Sequence, residues 1–169
     1  MKSILIIMKN VILIILFFSS LFAHSQYTGA TPWENCYGKN ASCETYPKDG
    51  YLVGCSEINI KTSSSSSVLA IVKRYGKVVK HAYISSGSNY TFEVASGTYQ
   101  VFFYYGKSWN RNKKMNSDQC VSIYGGFTEN ESVSKDNPIT LNDEIMSYTL
   151  TQVSYGNFSP KLSDLNEAL

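Results

Sequence analysis

From Tyr90 to Tyr105 the chain is written in period two. Tyr90, Phe92 and Val94 alternate with Thr91 and Glu93, and Ala95-Ser96-Gly97 then turns the chain. Tyr99, Val101, Phe103 and Tyr105 share one face of the returning segment, with Phe102 and Tyr104 on the other. Successive side chains of a strand point to opposite faces, so this pattern specifies an extended hairpin and no helix satisfies it. The same grammar continues on both sides. Ile58 and Ile60 alternate with Glu57, Asn59 and Lys61, the serines Ser63–Ser67 make a loop, and Val68–Lys73 is apolar on both faces. Tyr75-Gly76 sits where a hairpin turn is needed, with Gly76 supplying the positive φ, and Lys77–Ile84 returns. Met146, Tyr148 and Leu150 alternate with Ser147, Thr149 and Thr151 in a last strand.

Residues 106–143 are looser, with Gly106, Gly125, Gly126 and Pro138, and predict only short strands near Val121–Tyr124 and Ile139–Leu141. No amphipathic helix is long enough for the crossovers of a parallel sheet. The pattern therefore predicts an all-β chain, an antiparallel β-sandwich of about seven strands over residues 57–158. An irregular, cysteine-containing segment at 26–56 precedes it and a polar tail at 159–169 follows.

The N-terminus carries a different message. Lys2 and Lys9 are the sole charges before Glu34, Val11–Phe18 is an unbroken apolar run, and Ala23 and Ser25 are small. A basic start, a short apolar run and a small-residue exit are the three parts of a secretory signal, here cut between Ser25 and Gln26. Met8 begins a shorter version of the same leader. An uncleaved anchor needs about 20 apolar residues and reaches that length only by crossing Lys9, so no stable membrane span is expected after cleavage.

Removing 1–25 leaves 144 of the 169 residues, one domain's worth of chain. The leader holds two of the 15 basic residues and none of the 13 acidic ones, so the remainder is formally neutral. Neutrality removes the electrostatic footprint of a nucleic-acid binder. All four cysteines, Cys36, Cys43, Cys55 and Cys120, lie beyond the leader and read as two disulfides with three possible pairings. The preferred pairing is Cys36–Cys43 around a small loop and Cys55–Cys120 across the domain. A tetra-cysteine zinc site is disfavoured because no two cysteines have C-x2–4-C spacing.

Phe92, Val94, Gly97, Tyr99 and Val101 together form an F-x-V-x-x-G-x-Y-x-V run. It resembles the hairpin of carboxypeptidase-regulatory-like and transthyretin-like β-sandwich modules, and implies an Ig-like or transthyretin-like fold. More broadly, Cys55–Ile58, Val78–Tyr83, Gly97–Trp109, Gly156–Ser159 and Asn166–Leu169 are similar to a group of short exported proteins of Bacteroidetes-type bacteria. That group carries no assigned activity, so the resemblance implies export and brings no catalytic residues. The sequons at Asn40, Asn89, Asn130 and Asn157 are not expected to be modified in such a host.

No reaction is specified. Beyond the leader there is one histidine, His81, which excludes a zinc enzyme with two or three histidine ligands. A Ser–His–Asp triad survives that count, but no nucleophile elbow is present, and His81 reads as a partly exposed strand residue. Cys120 as a nucleophile beside His81 conflicts with its expected bridging. Glu93, Asp118, Glu129, Glu131, Asp136, Asp143 and Glu144 offer many carboxylate pairs, and spacing selects none as a glycosidase pair. Asp136, Asn137, Asp143 and Glu144 do not follow a calcium-loop pattern. Catalytic residues, metal and cofactor are accordingly expected to be none.

The most suggestive feature is an aromatic and basic run: Tyr104, Tyr105, Lys107, Trp109, Arg111, Lys113 and Lys114. Aromatic faces stack on sugars or grip proteins, and Arg and Lys reach for anionic groups. The run is expected either to form a binding face or to divide into core tyrosines and a solvated loop. The functional expectation is a secreted, non-enzymatic binding or accessory module with a protein or glycan partner. The alternatives are a hydrolase inhibitor acting through a disulfide-fixed Tyr37–Ser42 loop and, last, a hydrolase.

Overall fold

The computed structural model describes residues 26–43, 47–48, 51–52, 54–151 and 161–169. The leader with Ser25, and Gly156–Ser159 with the Asn157 sequon, lie outside the described residues. Eleven strands are described: β1 (Pro47–Lys48), β2 (Tyr51–Leu52), β3 (Cys55–Thr62), β4 (Ser67–Arg74), β5 (Lys77–Ile84), β6 (Asn89–Ala95), β7 (Gly97–Ser117), β8 (Cys120–Lys135), β9 (Ile139–Leu141), β10 (Ile145–Leu150) and β11 (Lys161–Ser163). Two single-turn helices, α1 (Glu34–Tyr37) and α2 (Leu165–Ala168), flank them.

The fold is an all-β sandwich, as the alternation predicts. A small sheet runs β10–β3–β6, and a large one runs β11–β8–β7–β4–β5, with β9 added against β7. Ile58, Ile60, Phe92, Val94, Tyr148 and Leu150 of the small sheet pack on Val68, Ala70, Val72, Ala82, Val101 and Phe103 of the large one. Burying those faces is the main favourable term in the fold. One pair departs from the antiparallel expectation: β10 lies parallel to β3, Ile145 opposite Glu57 and Leu150 opposite Thr62. After β9 on the large sheet, residues 142–144 carry the chain across to the small one, so β10 approaches β3 without a helical crossover.

The two-faced apolar character of β4 has a direct cause. Its second face carries Leu69 and Ile71, and with Phe102, Tyr104, Ile123 and Phe127 these form another core on the outer side of the large sheet. Ala30 and Trp33 cover that core from the N-terminal segment, and Ala168 and Leu169 cover it from the C-terminus. The tail expected to be polar therefore ends in a buried pair. Asp164 caps α2, its side chain accepting from Glu167 N–H at 2.8 Å, and Lys135 of β8 pairs with Glu167.

The largest departure is the β7–β8 hairpin. Sequence periodicity ends β7 near Tyr105, but the strand continues to Ser117 and β8 runs back over sixteen residues. Register shifts at 105/107, 110/114 and 115/117 bend this ribbon. They let Met115, Ile123 and Phe127 reach the outer core beside Tyr104. Bulges break strict alternation, and so the segment reads as loose.

The disulfides also correct the expected pairing: Cys36 joins Cys120, and Cys43 joins Cys55. The bent ribbon carries its tip back to α1, which puts Cys120 beside Cys36; a strand ending at Tyr105 gives no hint of that. Among the described residues no helix is long and apolar enough to cross a membrane.

Candidate functional site

β5 is the last strand of the large sheet, and the N-terminal segment occupies its open edge. Gly29 N–H donates to Tyr83 O at 2.8 Å, and Tyr83 N–H donates to Ala30 O at 2.8 Å. Ser85 N–H donates to Thr28 Oγ1 at 3.0 Å. Two residues before Tyr83, the Asn40 amide imitates a strand: Nδ2 donates to His81 O at 2.8 Å, and Oδ1 accepts from His81 N–H at 3.1 Å. An exposed edge is a template for unwanted pairing, and these bonds close it.

Trp33 anchors the segment. It is fully buried, its Nε1 donates to Gly125 O at 2.9 Å, and its backbone N–H donates to His81 Nε2 at 3.0 Å. The Trp33 and His81 rings stack with centroids 5.9 Å apart, and Tyr37 meets His81 edge-on at 6.0 Å. Trp33 thus ties β5 to β8 through one side chain.

The opposite wall is the bent ribbon, held by Tyr104. Its hydroxyl accepts from Phe127 N–H at 2.9 Å and donates to Glu131. Lys113 Nζ pairs with the same carboxylate at 2.5 Å and donates to Phe127 O at 2.5 Å. Burial, followed by the Glu131 hydrogen bond and charge, pushes the Tyr104 hydroxyl well above its ordinary pKa, so it stays protonated as a donor.

Between the walls lies a cleft of about 430 Å³, lined by Gln26, Tyr27, Thr31 and Glu34 on one side and by Trp109, Arg111, Tyr124 and Gly125 on the other. Trp109 packs edge-on against Tyr83 at 5.2 Å and Phe127 at 5.0 Å. Its buried indole N–H has no acceptor among the described residues. Gly125 adopts φ +107°, and a Cβ there would lie 3.0 Å from the Trp109 ring, so glycine permits this close approach. Tyr27 and Tyr124 are exposed by 71% and 48%, leaving their ring faces available. Thr31 donates to Glu34 at 2.9 Å.

The aromatic and basic run is split. Trp109 and Arg111 line this cleft, while Tyr105 and Lys107 line a second pocket of about 430 Å³ with Thr62, Ser63, Ser66, Asn130, Ser132 and Thr151. There the Thr62 hydroxyl is committed to Ser85 O and Ser88 O, and Ser63 is bonded to Ser65. Tyr104 is fully buried and presents no face, and Lys113 is occupied by Glu131. Lys114 is exposed in register with Tyr124. Sequence reading missed Gln26, Tyr27, Thr31, Glu34 and Tyr124, because chain crossings bring them together and no local spacing announces them.

His81 is fully buried, where the sequence suggested partial exposure. Desolvation pushes its pKa down from 6.5 to about 4, against smaller opposing pulls from the Thr31 backbone and Glu34. Cys120 is bridged. Of the carboxylates, Asp136 accepts from Tyr148 at 3.0 Å, Glu131 is held by Tyr104 and Lys113, and Glu129 accepts from Ser108 at 2.9 Å. Among the described residues no group of three His, Cys, Asp or Glu side chains is placed to hold a metal ion. In the Tyr37–Ser42 loop, Tyr37 lies within hydrogen-bonding distance of Ser117 and donates to Leu169 O at 3.2 Å, and Asn40 grips His81, while Gly38, Lys39, Ala41 and Ser42 are exposed.

Compared with protein-family models, with curated proteins and with solved structures, the chain matches none.

Proposed function

We propose that this chain is an exported, non-enzymatic binding module whose ligand site is the Trp109–Arg111 cleft, and that the ligand is a glycan. The observation that carries the reading is one cleft in which the Trp109, Tyr27 and Tyr124 rings flank the Arg111 guanidinium and the Glu34 carboxylate. Arg111, on the same wall as Trp109, makes no ion pair among the described residues. Glu34 supplies an acceptor opposite, and Trp109, Tyr27 and Tyr124 supply ring surface. Donors facing an acceptor across aromatic faces suit the hydroxyls and C–H faces of a sugar.

Two disulfides and the basic–apolar–small leader support export. Sealing His81 beneath Trp33 supports a role without catalysis, because a general base must reach its substrate. Inhibition through Tyr37–Ser42 is supported less, since Tyr37 and Asn40 face inward. Calorimetric titration of the oxidised protein with cello-, chito- and laminari-hexasaccharides tests the reading. Binding to at least one, lost in Trp109→Ala and weakened in Arg111→Gln, is expected. Binding that survives both substitutions places the ligand elsewhere and overturns it.

A further inference from the structure

The cleft's N-terminal wall rests on a histidine that has to be neutral. His81 Nε2 accepts from Trp33 N–H at 3.0 Å, so the ring's own hydrogen sits on Nδ1. Nδ1 is buried and unpaired at strict hydrogen-bonding geometry among the described residues, the Thr31 backbone giving only a pull smaller than the cost of burial. An imidazolium carries N–H at both nitrogens, so protonation turns Nε2 from acceptor into donor against Trp33 N–H and places a charge in a sealed site.

The neighbours offer little compensation. The N-terminal segment contributes the Glu34 carboxylate, the Thr31 backbone and the Tyr37 ring, and burial keeps Tyr37 protonated. β4 places Ile71 in register with His81, and β8 presents the Gly125 carbonyl already bound by the Trp33 indole. On β5 itself the adjacent cation is Lys80, whose ammonium donates to Ala41 O.

We propose that this contact is an acid release: protonating His81 undocks residues 26–34 from β5 and dismantles the ligand cleft. The Cys36–Cys120 disulfide keeps the wall tethered, so it can dock again on neutralisation. This regulation rests on the cleft being the binding site. Docking favours the neutral ring, so the wall is held most firmly above pH 6.5 and loosens as pH falls toward 4. With those two values the undocking constant rises about twentyfold between pH 7 and pH 5.

Hydrogen exchange on the oxidised full chain reads this without a ligand. Protection at the Gly29, Trp33 and Tyr83 amides, each taken against its intrinsic exchange rate at the same pH, is expected to fall about twentyfold from pH 7 to pH 5 while staying below that of Ala70 in the core. His81→Gln keeps an uncharged oxygen acceptor for Trp33 N–H and should abolish that fall. Unchanged protection at those three amides in the wild type, or the same fall in His81→Gln, overturns the release; the wild-type profile decides even where the variant fails to fold. A bound hexasaccharide holds the wall docked, so saturating the protein with it at pH 5 should raise protection at Gly29, Trp33 and Tyr83, and protection unchanged by the bound sugar overturns the link to the cleft. A wall that opens in a protein binding none of the hexasaccharides at pH 7 overturns the glycan cleft and leaves the release standing.

Discussion

The Trp33 backbone N–H donates to His81 Nε2 at 3.0 Å, with the two rings stacked 5.9 Å apart. This contact joins an irregular segment to an edge strand, closes a core and shapes one wall of a cleft. Truncating Trp33 to Ala would empty that space and expose the unsealed imidazole. A loss of about 3–5 kcal/mol in denaturant unfolding is expected, in line with large-to-small substitutions of buried aromatics.

His81 also sets a pH dependence for global stability. Its folded pKa of about 4 lies below the ordinary 6.5, so the unfolded chain binds the extra proton between those values. The neutral-ring stabilisation is complete above pH 6.5 and is lost as pH falls to 4, by up to about 3 kcal/mol. Carboxylates titrate in the same range, so the measurement is the difference between wild type and His81→Gln across pH 7 to 4. Parallel stability curves for the two proteins would contradict the assignment.

The disulfides are unequal. Cys36–Cys120 closes 84 residues of sequence separation and Cys43–Cys55 closes 12. Chain-entropy arithmetic gives about 4–5 kcal/mol for the first and about 3 for the second. Non-reducing peptide mapping should recover these two pairs. Replacing Cys36 and Cys120 together by Ala should lower Tm more than replacing Cys43 and Cys55. It should also loosen the cleft wall.

Tyr104 clamps the ribbon with a hydroxyl that both accepts from Phe127 and donates to Glu131. Tyr104→Phe keeps the ring and orphans a buried backbone N–H, at a cost of about 1–3 kcal/mol. Amide exchange at Phe127 should accelerate, and unchanged exchange there would show that the ribbon is held by other contacts.

How much of this was legible depended on how local the cause was. The inter-sheet core reads directly from Ile58, Ile60, Phe92, Val94, Val101 and Phe103, because period-two burial is a property of each strand alone. The two-faced β4 hinted at a second covering layer, but what covers it, Trp33 and Leu169, comes from opposite ends of the chain. The long ribbon was hidden because its bulges break alternation and many of its outward residues, among them Lys107, Asn110, Asn112, Lys114, Glu129 and Asn130, are polar. The disulfide pairing follows from that ribbon and was hidden with it. Trp109 and Arg111 were marked by type, whereas their partners across the cleft, Tyr27 and Glu34, carry no spacing signal. Asn40 shows the same limit: it reads as a glycosylation sequon, yet its Nδ2 is spent on His81 O.

The chain holds two tryptophans, so its indole N–H groups give two resolvable signals in a nitrogen–proton correlation spectrum. One is bonded to Gly125 O through Trp33, and the other, on Trp109, is unpaired among the described residues. Titrating the three hexasaccharides at pH 7 is the most direct test of the cleft. A saturable shift of the Trp109 signal, larger than any at Trp33, is expected with the sugar that binds. A bound sugar that leaves the Trp109 indole unmoved would contradict it.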